Sequence, residues 1–285
     1  MIKRTILLLL GGLCYLNLLY AQTKDDSLTI VSTHWEIRKV GKGIMHKYAS
    51  IPHLYGGFQH INILTIDPKS GNKFDIAVSG KMMKTSEIAT DKKAIAAING
   101  SYFNMRKGNS VCYLKVGPEL KDTTTLIEWQ ARVTGAIYAY KGKLKLFPWN
   151  KQIEGKYKKR KGTTLASGPL MLLNGKEYDW SMCAQDFIET KHPRSAIAIT
   201  KEGLVLLITV DGRLNGFADG MNIYELAHLV GVLGGKDAIN LDGGGSTTLW
   251  LKGAPYDGVL NCPCDNGKPD HEGERKVSNI LYVYD

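Results

Sequence analysis

Ser195-Ala196-Ile197-Ala198-Ile199-Thr200-Lys201-Glu202-Gly203-Leu204-Val205-Leu206-Leu207-Ile208-Thr209-Val210-Asp211-Gly212-Arg213 is the stretch that decides the fold. Two apolar, β-branched runs flank a short polar turn containing glycine, which predicts a β-hairpin. Five of the seven residues 204–210 are Leu or Val, the composition of a strand covered on both faces. Downstream, Asn222 predicts a helix N-cap, and Glu225 stands at the capping-box spacing. Ile223, Leu226, Ala227 and Val230 then fall at i, i+3, i+4 and i+7, one buried seam, before Gly234-Gly235 ends the helix. Residues 238–241, 247–251 and 277–284 read as further strands.

Upstream, residues 28–40 alternate weakly and read as a strand. Residues 59–66 and 73–78 read as a hairpin joined by Asp67-Pro68-Lys69-Ser70-Gly71-Asn72. A short helix is predicted over 85–93 and a strand over 94–98. Lys141-Gly142-Lys143 and Asn174-Gly175-Lys176 predict two more hairpins. Strands outnumber helices and few βαβ units occur. The class is therefore α+β: one domain, with a large mixed, mostly antiparallel sheet packed with a few helices, and not a doubly wound fold.

Met1-Ile2-Lys3-Arg4 places two positive charges ahead of an apolar run that stops at Ala21-Gln22, the order of a secretory signal peptide over residues 1–21. The run is short for a membrane span, and Leu13 is bulky where a lipid-attachment signal at Cys14 needs a small residue. The expectation is a periplasmic or secreted domain over 22–285, with no stable membrane insertion once the signal is removed. The 285-residue chain carries a formal charge of +10, part of it in Lys156-Tyr157-Lys158-Lys159-Arg160-Lys161. A solvated loop is the ordinary reading of that run. Basic surfaces attract anions of every kind, but export argues against nucleic acid as the partner. Cys112, Cys183, Cys262 and Cys264 would meet an oxidising compartment, so one or two disulfides are expected, with three pairings open. Cys262-Pro263-Cys264 is too short for a zinc knuckle.

Polar clusters sit where apolar strands end: Asn99 to Asn104, His192-Pro193-Arg194, Asp211-Gly212-Arg213, and Asn240 through Thr247. Strand alternation puts Asn240 and Asp242 on one face, and Thr209 and Asp211 on one face. An Asp-Gly pair is most often only a turn; several at strand ends suggest a rigid sheet presenting a site to a cleft. Gly243-Gly244-Gly245 lacks every Cβ and could turn successive N–H groups toward an anion, with Ser246 and Thr247 adding hydroxyls. It matches neither a Walker loop nor a dinucleotide fingerprint. Arg194 and Arg213 offer guanidinium forks for a phosphate. His192 could shuttle a proton or merely orient its neighbours. Glu225 could face a cleft or serve only as a cap.

These segments, together with Ser167-Gly168-Pro169 and Val277-Ser278-Asn279, resemble the phosphodiester glycosidase family in kind and order, over about residues 94–285. The resemblance implies an exported bacterial enzyme cleaving the sugar C1–O bond of a sugar-1-phosphodiester in an envelope glycan. A phosphate leaves readily, so charge stabilisation outweighs the leaving-group protonation that an ordinary glycosidase needs. Arg194, Arg213 and the glycine-run N–H groups would hold the phosphate, with Asn99 beside them. Asp242 or Glu225 would activate water or attack C1. Asp211 would orient sugar hydroxyls or an arginine, and His192 would hydrogen-bond a phosphate oxygen. No cofactor is required, although Asp211 and Asp242 could share a divalent cation. Two alternatives stay open: P–O cleavage by a phosphodiesterase, and a non-catalytic module binding anionic glycans.

Overall fold

The computed structural model describes residues 24–285. The expected signal peptide, residues 1–21, lies outside them. Among the described residues seventeen strands form three sheets. The largest has eight, in the order β1 (Glu36–Gly41), β2 (Ile44–Leu54), β3 (Gly57–Ile66), β14 (Val205–Val210), β13 (Arg194–Thr200), β15 (Gly235–Asn240), β11 (Leu170–Leu173) and β12 (Lys176–Glu177). A five-stranded sheet runs β7 (Glu119–Asp122), β6 (Leu114–Val116), β10 (Thr163–Ser167), β8 (Gly135–Tyr140), β9 (Lys143–Pro148). The third runs β16 (Leu249–Leu251), β5 (Ala96–Asn99), β17 (Val277–Tyr284), β4 (Lys73–Met83). The helices are α1 (Lys24–Ser32), α2 (Thr85–Asp91), α3 (Leu126–Ala131), α4 (Lys151–Tyr157), α5 (Gln185–Glu189) and α6 (Ile223–Val232). The class is α+β with antiparallel pairing, as expected, but the anticipated single sheet is divided among three.

Alternation along the central strands explains the layering. Ile61 and Ile63 of β3, Ile208 and Val210 of β14, and Ala196 and Ala198 of β13 pack on one face against Ile30 of α1, Ile188 of α5 and the α6 seam. Leu64, Leu207 and Ile197 point the other way and meet Ile98, Leu281, Ile137 and Leu165 of the smaller sheets. Every residue of β14 is therefore buried, and α6 carries its expected capping box: Glu225 N–H donates to Asn222 Oδ1 at 2.9 Å, and Asn222 N–H to Glu225 Oε2 at 3.0 Å.

Three expectations need correction. Residues 28–32 belong to α1, and the strand begins only at Glu36. The turn at 67–72 exists, with Asp67 capping a short 3-10 turn, yet β3 and β4 lie in different sheets and do not pair. Cys112, Cys183, Cys262 and Cys264 are all free thiols. Cys112 is packed among the five-stranded sheet's aromatics and Cys183 among the α6 residues, so the two buried thiols occupy separate cores.

Candidate active site

Asn99, at the end of β5, ties the polar strand ends together. Its Oδ1 accepts from Ser195 Oγ at 2.6 Å and from Thr248 N–H at 3.1 Å, while its Nδ2 donates to the Asp242 carbonyl at 2.7 Å. Asp242 N–H returns a bond to the Gly100 carbonyl at 3.0 Å, and Gly244 N–H donates to the Pro193 carbonyl at 2.9 Å. Tyr102 Oη donates toward the Gly168 and Leu241 carbonyls at 2.6 and 3.1 Å. Buried groups hydrogen-bonded this fully hold their neighbours in one geometry. Asn99 is completely buried, so it positions the Asp242 backbone from behind.

Above this frame opens a cavity of about 200 Å³, lined by Tyr102, Arg132, Phe187, His192, Arg194, Arg213, Asp242, Gly243, Gly244 and Arg275 among others. Asp242 supplies its one carboxylate against four guanidinium groups. Two of the four are balanced: Glu128 takes Arg132 at 2.8 Å through both Nε and Nη2, and Asp265 takes Arg275 Nε at 3.0 Å. Arg194 and Arg213 have no carboxylate partner among the described residues. Arg194 is 2 % exposed and donates to the carbonyls of Met221, Phe187 and Thr190. Burial lowers it to about 10, so it remains a cation at neutral pH. Arg213, Arg194 and Asp242 thus leave one uncompensated positive charge, the complement of one phosphodiester.

His192 stands beside Arg213, with Nη2 to Nδ1 at 2.9 Å. Burial, then the charges of Arg194 and Arg213, push the imidazole down to about 4. A neutral ring accepting from Arg213 at Nδ1 carries its proton on Nε2, which makes it a hydrogen-bond donor and not a proton reservoir. Burial pushes the Asp242 carboxyl above its ordinary value, against the Ser246 hydroxyl, Arg132, the Gly243 N–H and Arg275, which favour the charged form.

The glycine run works differently from the expected N–H cradle. Gly243 N–H donates to its own neighbour, Asp242 Oδ1, at 3.0 Å, and Gly244, Ser246 and Thr247 N–H groups are taken by backbone carbonyls. What the missing side chains permit is close approach: a Cβ on Gly244 would fall 2.8 Å from Arg213 Nη1, and one on Gly245 2.6 Å from Arg275 Nη2. The run lets arginines lie against the backbone. Ser246 and Thr247 are fully buried behind the wall.

Two of the expected carboxylates lie elsewhere. Glu225 is held by the capping box and by Lys191 Nζ at 3.0 Å, and it lines no part of the cavity. Asp211 is 2 % exposed and belongs to a neighbouring cavity, accepting from Asn261 Nδ2 at 3.0 Å and Cys262 N–H at 3.1 Å. Burial raises it to about 7. Asp211 and Asp242, the pair expected as a possible cation site, line different cavities. Among the described residues no group of three His, Cys, Asp or Glu is placed to hold a metal. Arg132, Arg275 and Phe187 are site residues that the sequence reading missed, for they stand outside the strand ends that carried it.

Comparison with known proteins gives the chain its relatives. Among curated proteins, the chain is 28 % identical over 172 residues to the SPbeta prophage-derived uncharacterized protein YomE of Bacillus subtilis (strain 168), an alignment covering 58 % of this chain and 26 % of that one. It is 31 % identical over 107 residues to the mouse N-acetylglucosamine-1-phosphodiester alpha-N-acetylglucosaminidase, covering 35 % of this chain and 18 % of the relative. The chain thus matches about a quarter or less of these relatives' own length. The solved catalytic domain of the zebrafish N-acetylglucosamine-1-phosphodiester alpha-N-acetylglucosaminidase has the same fold: TM-score 0.65, 19 % identity, and 88 % coverage of both chains. The phosphodiester glycosidase family model matches residues 92–284, from just before β5 to the end of β17, and the chain belongs to that family.

Proposed function

We propose that the protein is an exported hydrolase that cleaves the C1–O bond of a sugar-1-phosphodiester carried by an envelope glycan. The observation that carries the reading is the pairing of one carboxylate, Asp242, with two guanidinium groups that have no acidic partner among the described residues, Arg194 and Arg213. One net positive charge matches a diester's single negative charge; a phosphomonoester dianion would be left half neutralised. In a partly desolvated cavity such fixed donors stabilise the departing phosphate most as its charge develops.

In this mechanism Arg213 and His192 Nε2–H hold the phosphate oxygens, and Arg194 adds charge from behind. The bond from C1 to the bridging oxygen breaks, the electron pair leaves with the phosphate, and no general acid is needed. Asp242 takes the proton from the attacking water, or bonds to C1 itself in an ester that water then attacks at C1, breaking the Asp242–C1 bond and releasing the sugar. The carboxylate's proton affinity, raised by burial, makes it a stronger base than an ordinary carboxylate.

The mammalian relatives' name makes esters of N-acetylglucosamine 1-phosphate the first substrates to screen. Turnover in ¹⁸O-labelled water decides between bonds: the label enters the sugar if C1–O breaks and the phosphate if P–O breaks. Label on phosphate would overturn the proposal in favour of a phosphodiesterase. Export is tested by sequencing the N-terminus of the protein recovered from the periplasm or medium, which should begin at Gln22. Among the described residues no helix is long and apolar enough to cross a membrane.

A further inference from the structure

The basic run between α4 and β10 has no part in the mechanism, yet the fold does not leave it as a loose solvated loop. Lys158 through Gly162 line a cavity of about 500 Å³ together with Lys115, Gly117 and Pro118. Lys115 is 2 % exposed. Its Nζ donates to the carbonyls of Gly117, of Arg160 at 2.6 Å and of Gly162 at 3.4 Å. The Arg160 guanidinium sits 5.1 Å from the ring centres of both Tyr138 and Tyr157, and Tyr138 Oη donates to the Lys161 carbonyl at 2.6 Å. A run pinned at three successive residues presents its charges in one arrangement, so binding there gives up little conformational entropy.

Aromatic rings border these charges. Gly117 and Gly162 also line an adjoining cavity of about 300 Å³, with Tyr140, Lys141 and Tyr284, so the two make one groove. Tyr138 and Tyr140 project from the outer face of β8, 6.2 Å apart and stacked, while Ile137 and Ala139 face the core. Lys145 and Lys143 of β9 stand directly opposite them and share that outer face. Along the groove Lys115, Lys158, Lys159, Arg160, Lys161 and Lys141 meet one lining carboxylate, Asp75, which accepts from Ile76 N–H at 2.8 Å. None of the six cations is in an ion pair among the described residues. Like charges fixed side by side repel, and an anion from outside relieves them. No exposed Leu, Ile, Val or Phe lines the groove, so it has nothing to insert into lipid. The spacing of Tyr138 and Tyr140 leaves no room for a nucleobase between them, whereas an open ring face suits the apolar side of a sugar.

The groove lies at the far end of β10 from the arginine-lined cavity. Gly162 and Thr163 open the strand at the groove. Ser167 closes it at the active site, where the next residue, Gly168, accepts from Tyr102. Five residues of strand put about 17 Å between the two ends. We propose that the groove is a second glycan-binding site, which holds an anionic polysaccharide with its sugar rings on the tyrosines and its charges on the lysines. Held there, the enzyme stays on the polymer whose diesters it cuts. That use rests on the glycosidase reading; the binding itself does not.

The test measures binding of phosphorylated dextran to the whole protein. It should bind more tightly than neutral dextran or a linear polyphosphate of matched charge, and rising salt should weaken it. Lys158→Gln/Lys159→Gln/Lys161→Gln should weaken binding by about tenfold, as three exposed charges acting together would. The same variant should hydrolyse the methyl diester of N-acetylglucosamine 1-phosphate at the wild-type rate. Tyr140→Ala should lose severalfold on phosphorylated dextran and nothing on polyphosphate, and it decides the matter if the triple variant fails to fold. Arg213→Ala should bind phosphorylated dextran as wild type does. Binding that the triple variant retains, or that Arg213→Ala abolishes, overturns the second site. Equal affinity for polyphosphate, or tighter binding of phosphatidylglycerol vesicles or single-stranded DNA, overturns its assignment to a glycan. A wild-type protein that binds as expected but turns over no diester loses the glycosidase reading and keeps the groove.

Discussion

Gly244→Ala puts the site's logic under direct strain. Gly244 has φ +60, where an alanine costs about 1–2 kcal/mol, so Tm should fall by about 3–6 °C in a domain this size. The larger effect falls on the site. The new Cβ would lie 2.8 Å from Arg213 Nη1, closer than real contacts allow. Arg213 is the long, flexible partner, so it gives way and loses its 2.9 Å contact with His192. Misplacing one preorganised donor to a developing anion costs about 10²–10³ in rate, or roughly 3–4 kcal/mol. The expected result is a folded protein with kcat/KM down about 100-fold. Arg213→Ala alone should lose a similar factor, and the double variant scarcely more, because both changes remove the same contact. Steady-state kinetics on a sugar-1-phosphodiester, with thermal melts of all four proteins, measures the cycle. Additive losses would show that Gly244 acts independently of Arg213, and wild-type activity in Gly244→Ala would remove Arg213 from phosphate binding.

Asp242→Asn should abolish turnover, by at least about 10³-fold, without lowering Tm, since burial already disfavours the charge it removes; a variant that keeps substantial activity would exclude Asp242 as base or nucleophile. The acid limb of the wild-type kcat/KM profile should lie above the ordinary carboxylate range, as the raised Asp242 requires; an ordinary carboxylate limb would contradict it. His192→Gln, which retains a side-chain N–H donor, should keep far more activity than His192→Ala, because a ring held down at about 4 donates a hydrogen bond and not a proton at neutral pH; equal loss in both would favour proton transfer. Asp211 has a folded value of about 7 against an ordinary 3.8, so between those values the native state binds a proton that the unfolded chain has released. Its stabilising contribution is complete below pH 4 and is lost as pH rises through 7, on the order of 4 kcal/mol as an upper bound. Urea unfolding at pH 5 and pH 8 should therefore show a smaller loss in Asp211→Asn than in wild type, and parallel losses would refute the shift.

The hairpin of β13 and β14, the α6 capping box and the closing strand were legible because local chemistry and tertiary context agree there. Residues 67–72 show where legibility stops. Asp67 and Gly71 do reverse the chain, but a turn sets direction and not partner, and β4 finds its partner in β17, almost two hundred residues later. Helix α1 escaped notice for a related reason. Leu28 and Val31 are exposed while Ile30 alone is buried, so no apolar stripe marks it, and packing on α6 holds it in place.

Charge balance explains why half of the site's arginines could be read from sequence and half could not. Arg194 and Arg213 stand at the ends of buried strands, where a charge without an evident partner invites a functional reading. Arg132 and Arg275 lie in irregular segments, and each carries its own carboxylate, Glu128 and Asp265. Such pairs read as surface salt bridges until folding carries them over Tyr102, at 3.7 Å from its ring centre, and beside Gly245. The division follows from what each pair can do. An arginine already neutralised can shape the cavity and temper Asp242 without adding net charge, whereas an unpaired one must be answered by an anion from outside. Replacing Glu128 or Asp265 would release a third positive charge into the cavity, strengthening the hold on phosphate in ground state and product alike. Phosphate release, more than bond cleavage, is the step such a variant should slow.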